Sequence, residues 1–149
     1  MKTLRTTSEN PDFQKLVTQL DAYLAVMDGE EHAFYDQYNK IDMLKHCIVI
    51  FDNEEAVACG AIKELDSKSM EVKRMFTLPE KRGKGLASKI LNELETWAKE
   101  LGYEKTILET GKRQTEAVAL YNKCGYNVIL NYGQYIGVDN SVCFEKVLK

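Results

Sequence analysis

The sequence predicts a single α/β domain over residues 1–149, with a mixed, mostly antiparallel central sheet and helices on both faces. Runs of β-branched residues separated by short turns are typical of antiparallel hairpins. A long amphipathic helix lies between two later strand-like segments, and such a unit normally pairs its strands in parallel. No repeat, low-complexity tract or Pro/Gly/Ser-rich linker divides the chain, so we expect one domain.

The first predicted element is an amphipathic helix. Asn10 suits the N-cap position, and Pro11 stands at the first helical position, where its missing N–H costs nothing. The helix ends at Gly29. A more polar stretch with Tyr35 and Tyr38 follows and predicts a short second helix. The apolar positions at helical spacing are Phe13, Leu16, Val17, Leu20, Leu24 and Met27.

Three strands come next, joined by short turns that imply antiparallel pairing. Asp52-Asn53 and the polar segment 66–69 supply the turn signals, and Pro79 stops the third strand. The predicted strands are Cys47–Phe51, Ala56–Lys63 and Met70–Thr77.

A long helix is predicted to start near Lys84, just after Gly83, and to end at Gly102. Thr106–Leu108 is a short strand reached through this helix, so it should pair in parallel with the strand before the helix. The apolar face of the helix comprises Leu86, Ile90, Leu94, Trp97 and Leu101.

The last part of the chain predicts one more helix and a hairpin. Either Gln114 or Thr115 caps the helix, which ends at Gly125. Tyr126–Leu130 and Ser141–Leu148 are the closing strands, and they form a hairpin across the loop between them.

The bulk composition excludes several classes of function. Hydrophobic residues at 44% and charged residues at 29% are ordinary for a folded globular protein. A net charge of −3 argues against a general nucleic-acid binder, which would carry a basic excess. No apolar run reaches the ~20 residues of a membrane-spanning helix, and the start shows no hydrophobic signal segment. We therefore expect a cytoplasmic protein with no nucleic-acid or membrane partner.

The cysteines and histidines show no metal-site spacing. Cys47, Cys59, Cys124 and Cys143 are far apart, without a Cys-x-x-Cys pair, and neither histidine lies at ligand spacing to them. We expect reduced cysteines that pack as small apolar residues, and no bound metal.

The turn before the long helix has the features of a phosphate site. Residues 79–85 read Pro-Glu-Lys-Arg-Gly-Lys-Gly. Glycines here let the backbone approach an anion, and the first N–H groups of the helix have no partner within it. The segment matches no P-loop, and a Rossmann fingerprint would need a third glycine where Ser88 stands. On these residues alone, a phosphate site and a solvated basic turn remain equal alternatives.

Two segments, in the right order, resemble the signature of the GCN5-related N-acetyltransferase (GNAT) family. Arg82-x-x-Gly85-x-Ala87 is similar to the family's Arg/Gln-x-x-Gly-x-Gly/Ala motif. Residues 117–126 resemble its second landmark, Ala-x-x-Leu-Tyr-x-x-x-Gly-Phe/Tyr. The resemblance covers residues 47–148 and implies an acetyl-coenzyme A-dependent N-acetyltransferase with the GNAT fold, in which the parallel strand pair splays apart.

The resemblance implies where acetyl-coenzyme A would bind. The pyrophosphate would lie on backbone N–H groups at the helix start, and the pantetheine arm would fill the gap between the splayed strands. Gln114 stands where many relatives carry asparagine, so a contact between its side-chain amide and the cofactor would depart from the family pattern. The implied cofactor residues are Met75, Thr77, Arg82, Gly83, Lys84, Gly85, Leu86, Ala87, Ser88, Gln114 and Tyr121.

The resemblance also implies catalytic roles. An amine resembling lysine, with a pKa of about 10.4, is mostly protonated at neutral pH, so its attack on a thioester needs a base. Glu71 matches a position where some relatives carry that base, acting directly or through a water. The Met75 N–H would donate to the oxyanion. Tyr121 matches a tyrosine that protonates the departing thiolate. As alternatives, Glu71 is an exposed strand residue and Tyr121 a core aromatic.

The acceptor is less well defined. Arg74 or Lys73 could bind a substrate carboxylate or phosphate. Tyr35, Tyr38 and Glu109 are further candidates for the acceptor wall from their positions in relatives. We expect a small-molecule amine, and the alternative acceptor is a protein N-terminus or lysine. The resemblance allows a homodimer, which no residue decides.

Two alternatives come from other classes of protein. A non-catalytic acyl-coenzyme A sensor would keep this fold, but the presence of both Glu71 and Tyr121 favours an enzyme. A dinucleotide-binding oxidoreductase is disfavoured by the missing third glycine.

Overall fold

The computed structural model describes residues 1–29 and 43–149. Tyr35, Tyr38 and the predicted short helix around them lie outside the described residues. The described strands are β1 (Lys2–Thr6), β2 (His46–Asp52), β3 (Glu55–Asp66), β4 (Ser69–Thr77), β5 (Lys105–Gly111), β6 (Asn127–Ile129) and β7 (Ser141–Val147). The described α-helices are α1 (Pro11–Asp28), α2 (Leu86–Glu100) and α3 (Thr115–Lys123).

The described strands form one sheet in the order β1-β2-β3-β4-β5-β7-β6. Neighbouring strands pair antiparallel except β4 and β5, which pair in parallel. The predicted fold class is therefore confirmed. None of the described helices is both long and apolar enough to cross a membrane.

Helix α1 forms where the sequence predicts it. The side chain of Asn10 accepts hydrogen bonds from the backbone N–H groups of Asp12 and Phe13, at 2.9 and 3.0 Å, and so satisfies two donors that lack helical partners. The apolar face of the helix is buried in the core and includes Phe13, Leu16, Val17 and Leu20.

Strand β1 was not predicted. Its sequence, Lys-Thr-Leu-Arg-Thr, has one large apolar residue, which is too little to show alternation. The strand forms because its backbone pairs antiparallel with β2, from Lys2 opposite Phe51 to Thr6 opposite Cys47.

Helix α2 begins at Leu86, not near Lys84 as predicted. Gly83 and Gly85 both have left-handed backbones, with φ of 79° and 78°, so the chain cannot be helical through this segment. The glycines therefore extend the turn by two residues before the helix starts.

The parallel strands β4 and β5 separate soon after they begin. Their pairing runs only from Ser69 opposite Lys105 to Glu71 opposite Ile107. Both strands then continue, β4 to Thr77 and β5 to Gly111, without further pairing to each other. The predicted splay is thus confirmed, and it leaves a slot between the two strand ends.

The closing hairpin of β6 and β7 is also confirmed, with β7 placed between β5 and β6. The loop between the two strands contains a short 3₁₀ turn, Gly133–Tyr135. The side-chain amide of Asn131 donates to the backbone carbonyls of Tyr135, Val138 and Ser141, at 3.1 to 3.2 Å, which folds the loop onto itself.

Candidate active site

The slot between β4 and β5 opens into a cavity of about 440 Å³. Its walls come from α1, β4, β5, the turn before α2 and the first turns of α2 and α3. Lys84 is exposed and is not part of the wall. The predicted site residues that the cavity brings together are Glu71, Arg74, Met75, Thr77, Arg82, Gly83, Gly85, Leu86, Ala87, Ser88, Glu109, Gln114 and Tyr121.

The turn before α2 is an open cradle. Gly85 takes the N-cap position of α2, where it has no side chain to cap the helix. No atom lies within 4 Å of the place where a Cβ on Gly83 or Gly85 would stand, so the left-handed backbone alone favours glycine there. No side chain of the N-cap residue therefore accepts hydrogen bonds from the first N–H groups of α2. This leaves them without an N-cap partner, as an anion-binding helix start requires.

Arg82 folds back from this turn toward β4 and α1. Its Nε donates a hydrogen bond of 3.1 Å to the carbonyl of Thr77. Its guanidinium lies 5.3 Å from the ring centre of Tyr23 and 5.8 Å from that of Phe76. These contacts tie the turn to β4, and a contact of Arg82 with the cofactor stays a prediction.

Strand β4 carries a bulge beside the slot. Cys59 pairs with Phe76 and Ala61 with Lys73, so a single residue of β3, Gly60, lies opposite two residues of β4. A Cβ on Gly60 would lie 2.7 Å from the sulfur of Met75 and 2.6 Å from Cγ2 of Ile90. The absence of a side chain at Gly60 therefore makes room for Met75.

Arg74, the other residue of the bulge, is tied to α1. Its Nη1 lies 2.8 Å from Oδ1 of Asp21, and only 2% of its side chain is exposed. Its Nη2 is buried and has no hydrogen-bond partner among the described residues. The predicted contact of Arg74 with an acceptor must therefore compete with the Asp21 pair.

Glu71 is buried at the narrow end of the slot, with 8% of the residue exposed. Its Oε2 accepts a hydrogen bond of 2.5 Å from the hydroxyl of Tyr132, and its Oε1 lies 3.5 Å from Nζ of Lys73. The alternative that Glu71 is an exposed strand residue is wrong. Burial and the neighbouring Glu71 carboxylate raise the pKa of Tyr132, so its hydroxyl keeps its proton and remains a donor.

Tyr121 is both a core residue and part of the cavity wall. Its ring packs 5.8 Å from Tyr126 and 5.9 Å from Phe144, measured between ring centres. Burial, together with Cys124 and Glu109, raises the pKa of Tyr121, so its hydroxyl is neutral at physiological pH. The two interpretations from sequence, core aromatic and acid, are therefore compatible.

Another carboxylate and another tyrosine, Glu109 and Tyr135, line the same cavity. Glu109 accepts a hydrogen bond of 2.6 Å from the hydroxyl of Ser141. Tyr135 is buried, and burial with the nearby Glu109 and Glu71 raises its pKa. Tyr132 and Tyr135 were not predicted as site residues, and their only signal in the sequence is a pair of aromatic residues in a loop that otherwise reads as polar.

Gln114 lies at the N-cap position of α3 and lines the cavity. A Cβ on Gly111 would lie 3.3 Å from its Nε2, so the end of β5 and the start of α3 meet closely here.

Within residues 1–29 and 43–149, no three His, Cys, Asp or Glu side chains lie close enough to hold a metal ion. The four cysteines, all described, are free thiols.

Sequence comparison places these features in a family. Residues 10–126 match the model of the "Acetyltransferase (GNAT) family". The IAA acetyltransferase of Azospirillum brasilense is 31% identical over 136 residues, which cover 90% of this chain and 89% of that protein. An uncharacterized N-acetyltransferase of Bacillus subtilis (strain 168), YsnE, is 34% identical over 100 residues, which cover 66% of each chain.

Solved structures share the fold. A Klebsiella pneumoniae protein assigned as an acyl-CoA N-acyltransferase is 29% identical, with a TM-score of 0.83 and coverage of 99% of this chain and 97% of that one. A GNAT acetyltransferase from Elizabethkingia anophelis with acetyl-CoA bound has a TM-score of 0.69 at 18% identity, covering 99% and 97%. An aminoglycoside 6'-N-acetyltransferase complexed with coenzyme A has a TM-score of 0.72 at 14% identity, covering 100% and 98%.

Proposed function

The chain belongs to the acetyltransferase (GNAT) family and is an N-acetyltransferase, and we propose that it transfers the acetyl group of acetyl-coenzyme A directly to the amine of a small molecule. One observation carries this proposal. The slot between β4 and β5 joins a cradle of uncapped helix N–H groups to a buried carboxylate, Glu71, within one cavity. That arrangement suits a long cofactor whose diphosphate binds at one end and whose thioester reacts at the other.

The cofactor would bind through backbone groups. The pyrophosphate would accept hydrogen bonds from N–H groups of residues 83–87, with the Ser88 hydroxyl as an added donor. The pantetheine arm would lie in the slot beside Thr77, and Gln114 would contact it from the start of α3. The acetyl-CoA and CoA complexes of structural neighbours support this choice of cofactor.

The reaction removes two protons from the acceptor ammonium nitrogen and supplies one proton to the departing sulfur. Glu71 would take a proton from the acceptor ammonium, directly or through a water, and the freed nitrogen would attack the thioester carbon. The Met75 N–H would stabilise the oxyanion of the tetrahedral intermediate. As the intermediate collapses, the C–S bond breaks and the Tyr121 hydroxyl would donate its proton to the departing sulfur. The nitrogen would release its second proton to the resulting Tyr121 phenolate, which leaves a neutral amide and a neutral tyrosine.

The raised pKa of Tyr121 bears on the last step. A phenol protonates a thiolate efficiently only if the pKa values of the two are comparable. The same burial that raises the pKa of Tyr121 would raise that of the coenzyme A thiol, because both anions lose solvation. The two pKa values would therefore shift in the same direction.

The acceptor end of the cavity suits a small amine. Glu71, Lys73, Glu109 and the buried Tyr135 line the cavity, and these side chains come from three different segments. Two carboxylates would favour approach of an ammonium group. Acceptor contacts of Arg74, Tyr35 and Tyr38 stay predictions, as do the protein or peptide acceptor and the homodimer.

The proposal is tested in two steps. First, acetyl-coenzyme A should raise the melting temperature, and NADH should not, because a ligand stabilises the native state that it binds. Second, a panel of small amines should release coenzyme A thiol. Glu71→Gln and Tyr121→Phe should each lower kcat by at least about tenfold.

A matched pair serves as control for these variants. Glu64 accepts a hydrogen bond of 2.6 Å from the Tyr103 hydroxyl outside the cavity, so Glu64→Gln and Tyr103→Phe should leave turnover unchanged. Binding of acetyl-coenzyme A without thiol release from any amine would instead indicate the acyl-coenzyme A sensor.

A further inference from the structure

Arg74 has a backbone conformation that is unusual for its residue type. Its φ is 60°, and among the described non-glycine residues only Asn53 shares a positive φ. Asn53 lies in the turn between β2 and β3, where asparagine tolerates this conformation. Arg74 lies inside a strand and has no such reason, so other contacts must offset the cost of its conformation.

The side chain of Arg74 is fixed at its far end. Nη1 of Arg74 and Oδ1 of Asp21 are 2.8 Å apart, and the guanidinium is almost fully buried, whereas 44% of the Asp21 side chain is exposed. Solvent therefore screens the arginine end of the pair weakly. A long side chain held at its tip restricts the direction of its own Cα–Cβ bond, and with it the backbone.

We propose that the Asp21–Arg74 ion pair is a positioning device that holds the left-handed backbone of the β4 bulge and thereby aims the Met75 N–H into the slot. The peptide group between Arg74 and Met75 carries that N–H, so rotation about the backbone of Arg74 turns the donor. Gly60, on the neighbouring strand β3, provides room for the Met75 side chain. Helix α1 thus acts on the geometry of β4 through this ion pair. This inference rests on the proposed role of the Met75 amide as the oxyanion donor.

A glycine at position 74 distinguishes support of the backbone conformation from other roles of the Arg74 side chain. Glycine adopts a positive φ without the steric cost of a Cβ, so Arg74→Gly removes the side chain yet keeps the bulge accessible. Arg74→Ala removes the same contacts but keeps the steric cost of a Cβ at a positive φ. We expect Arg74→Ala to lose about tenfold more kcat than Arg74→Gly, the scale of the penalty for a left-handed L-residue.

Asp21→Asn completes the comparison in two backgrounds. In the wild-type background it should lower kcat about tenfold, because the bulge loses its support. In the Arg74→Gly background the same change should alter kcat less than about twofold, since no ion pair remains to lose. The KM for acetyl-coenzyme A should change little in each variant, because the diphosphate cradle lies in another segment.

A spectroscopic measurement reports on the conformation of the β4 bulge independently of enzyme activity. The chain has five methionines, so ¹⁵N-methionine labelling gives a simple amide spectrum, in which Met75→Leu identifies the Met75 signal. Asp21→Asn should shift or broaden that signal in the wild-type background and leave it unchanged in the Arg74→Gly background. Unchanged melting temperatures would show that the variants remain folded.

Three results would overturn the inference. Arg74→Gly could lose as much kcat as Arg74→Ala, or Asp21→Asn could have the same effect in both backgrounds. A loss confined to the KM of anionic amines would instead make Arg74 a substrate-binding residue that uses Nη2, an atom without a hydrogen-bond partner in the described part of the chain. If the wild-type protein turned over no amine, the proposed function would fail, and the Met75 signal would still decide whether the ion pair holds the bulge.

Discussion

The hydroxyl of Tyr132 donates a hydrogen bond of 2.5 Å to Oε2 of Glu71, which joins the loop before β7 to the buried start of the slot. Such a short contact to a carboxylate is typical of a charge-assisted hydrogen bond. Because the pKa of Tyr132 is raised, this donor persists at physiological pH. The proposed base is therefore oriented by a residue 61 positions away in the sequence.

Tyr132→Phe removes this orientation while leaving the ring in place. We expect kcat to fall about tenfold, because among the described residues Glu71 then keeps only the longer contact with Lys73. The free energy of unfolding should fall by about 1–3 kcal/mol, the usual cost of losing a hydrogen bond to a buried charged group. Tyr103→Phe, which loses an exposed tyrosine–glutamate hydrogen bond, is the control and should change neither quantity appreciably. Wild-type kcat in Tyr132→Phe would contradict an orienting role.

Tyr121→Phe tests the proposed acid. The substitution keeps the ring contacts with Tyr126 and Phe144, so the protein should remain folded. Loss of the donor should lower kcat by about 10²-fold, while the Kd for coenzyme A from calorimetry should change less than about threefold. If instead Kd weakened and kcat stayed constant, Tyr121 would be a binding residue only.

Much of the fold could be predicted because its signals are local. The Asn10 cap, the β-branched run of β2 and the glycine turn each depend on neighbours within a few residues. The cradle at residues 82–87 could be predicted for the same reason, since its chemistry resides in backbone groups exposed by glycine. The position of the helix start was wrong by two residues because two left-handed glycines, Gly83 and Gly85, extend the turn.

The acceptor end of the site could not be predicted because it depends on long-range contacts. No pattern near Glu71 indicates Tyr132, and nothing near Arg74 indicates Asp21, since loop folding and helix packing bring these pairs together. The sequence nevertheless contains one local signal of the bulge. An isolated glycine inside a strand, Gly60, suggests a bulge or a close approach, and it lies opposite the bulge of β4.

Gly60→Ala should disturb that bulge directly. The new Cβ would lie 2.6 Å from Ile90 Cγ2 and 2.7 Å from the Met75 sulfur, distances that require a neighbour to move. We expect a loss of about 1–3 kcal/mol in the free energy of unfolding, the usual cost of overpacking a core. Because Met75 is displaced, kcat should fall by more than the loss of folded protein at the assay temperature explains. Urea denaturation and kcat on the same preparation measure both effects, and an unchanged stability would show that the core absorbs the methyl group.

Tyr126→Phe should destabilise the core without a direct effect on the slot. The Tyr126 hydroxyl donates to Oε2 of buried Glu95 at 3.0 Å and lies 2.7 Å from the Thr106 hydroxyl. Lys146 Nζ contacts the other oxygen of Glu95 at 2.9 Å, so the network joins α2, β5 and β7. Removing the hydroxyl should lower the free energy of unfolding by about 1–3 kcal/mol, which urea denaturation measures. The double variant Tyr126→Phe with Glu95→Gln should lose less than the sum of the two single variants, and strict additivity would contradict a shared network.

The stability of the protein should fall at alkaline pH because of a buried thiol. Cys47 is fully buried, and burial raises its pKa from 9.0 to about 12. Above about pH 9 the unfolded chain releases this proton whereas the folded protein retains it, so the folded state binds more protons and loses relative stability as pH rises. One such thiol contributes a slope approaching about −1.4 kcal/mol per pH unit until the folded pKa is reached. Urea denaturation from about pH 8 to pH 10.5 should show wild-type stability falling more steeply than that of Cys47→Ala, which removes this thiol. Parallel curves for the two proteins would show that the Cys47 thiol ionises equally easily in both states.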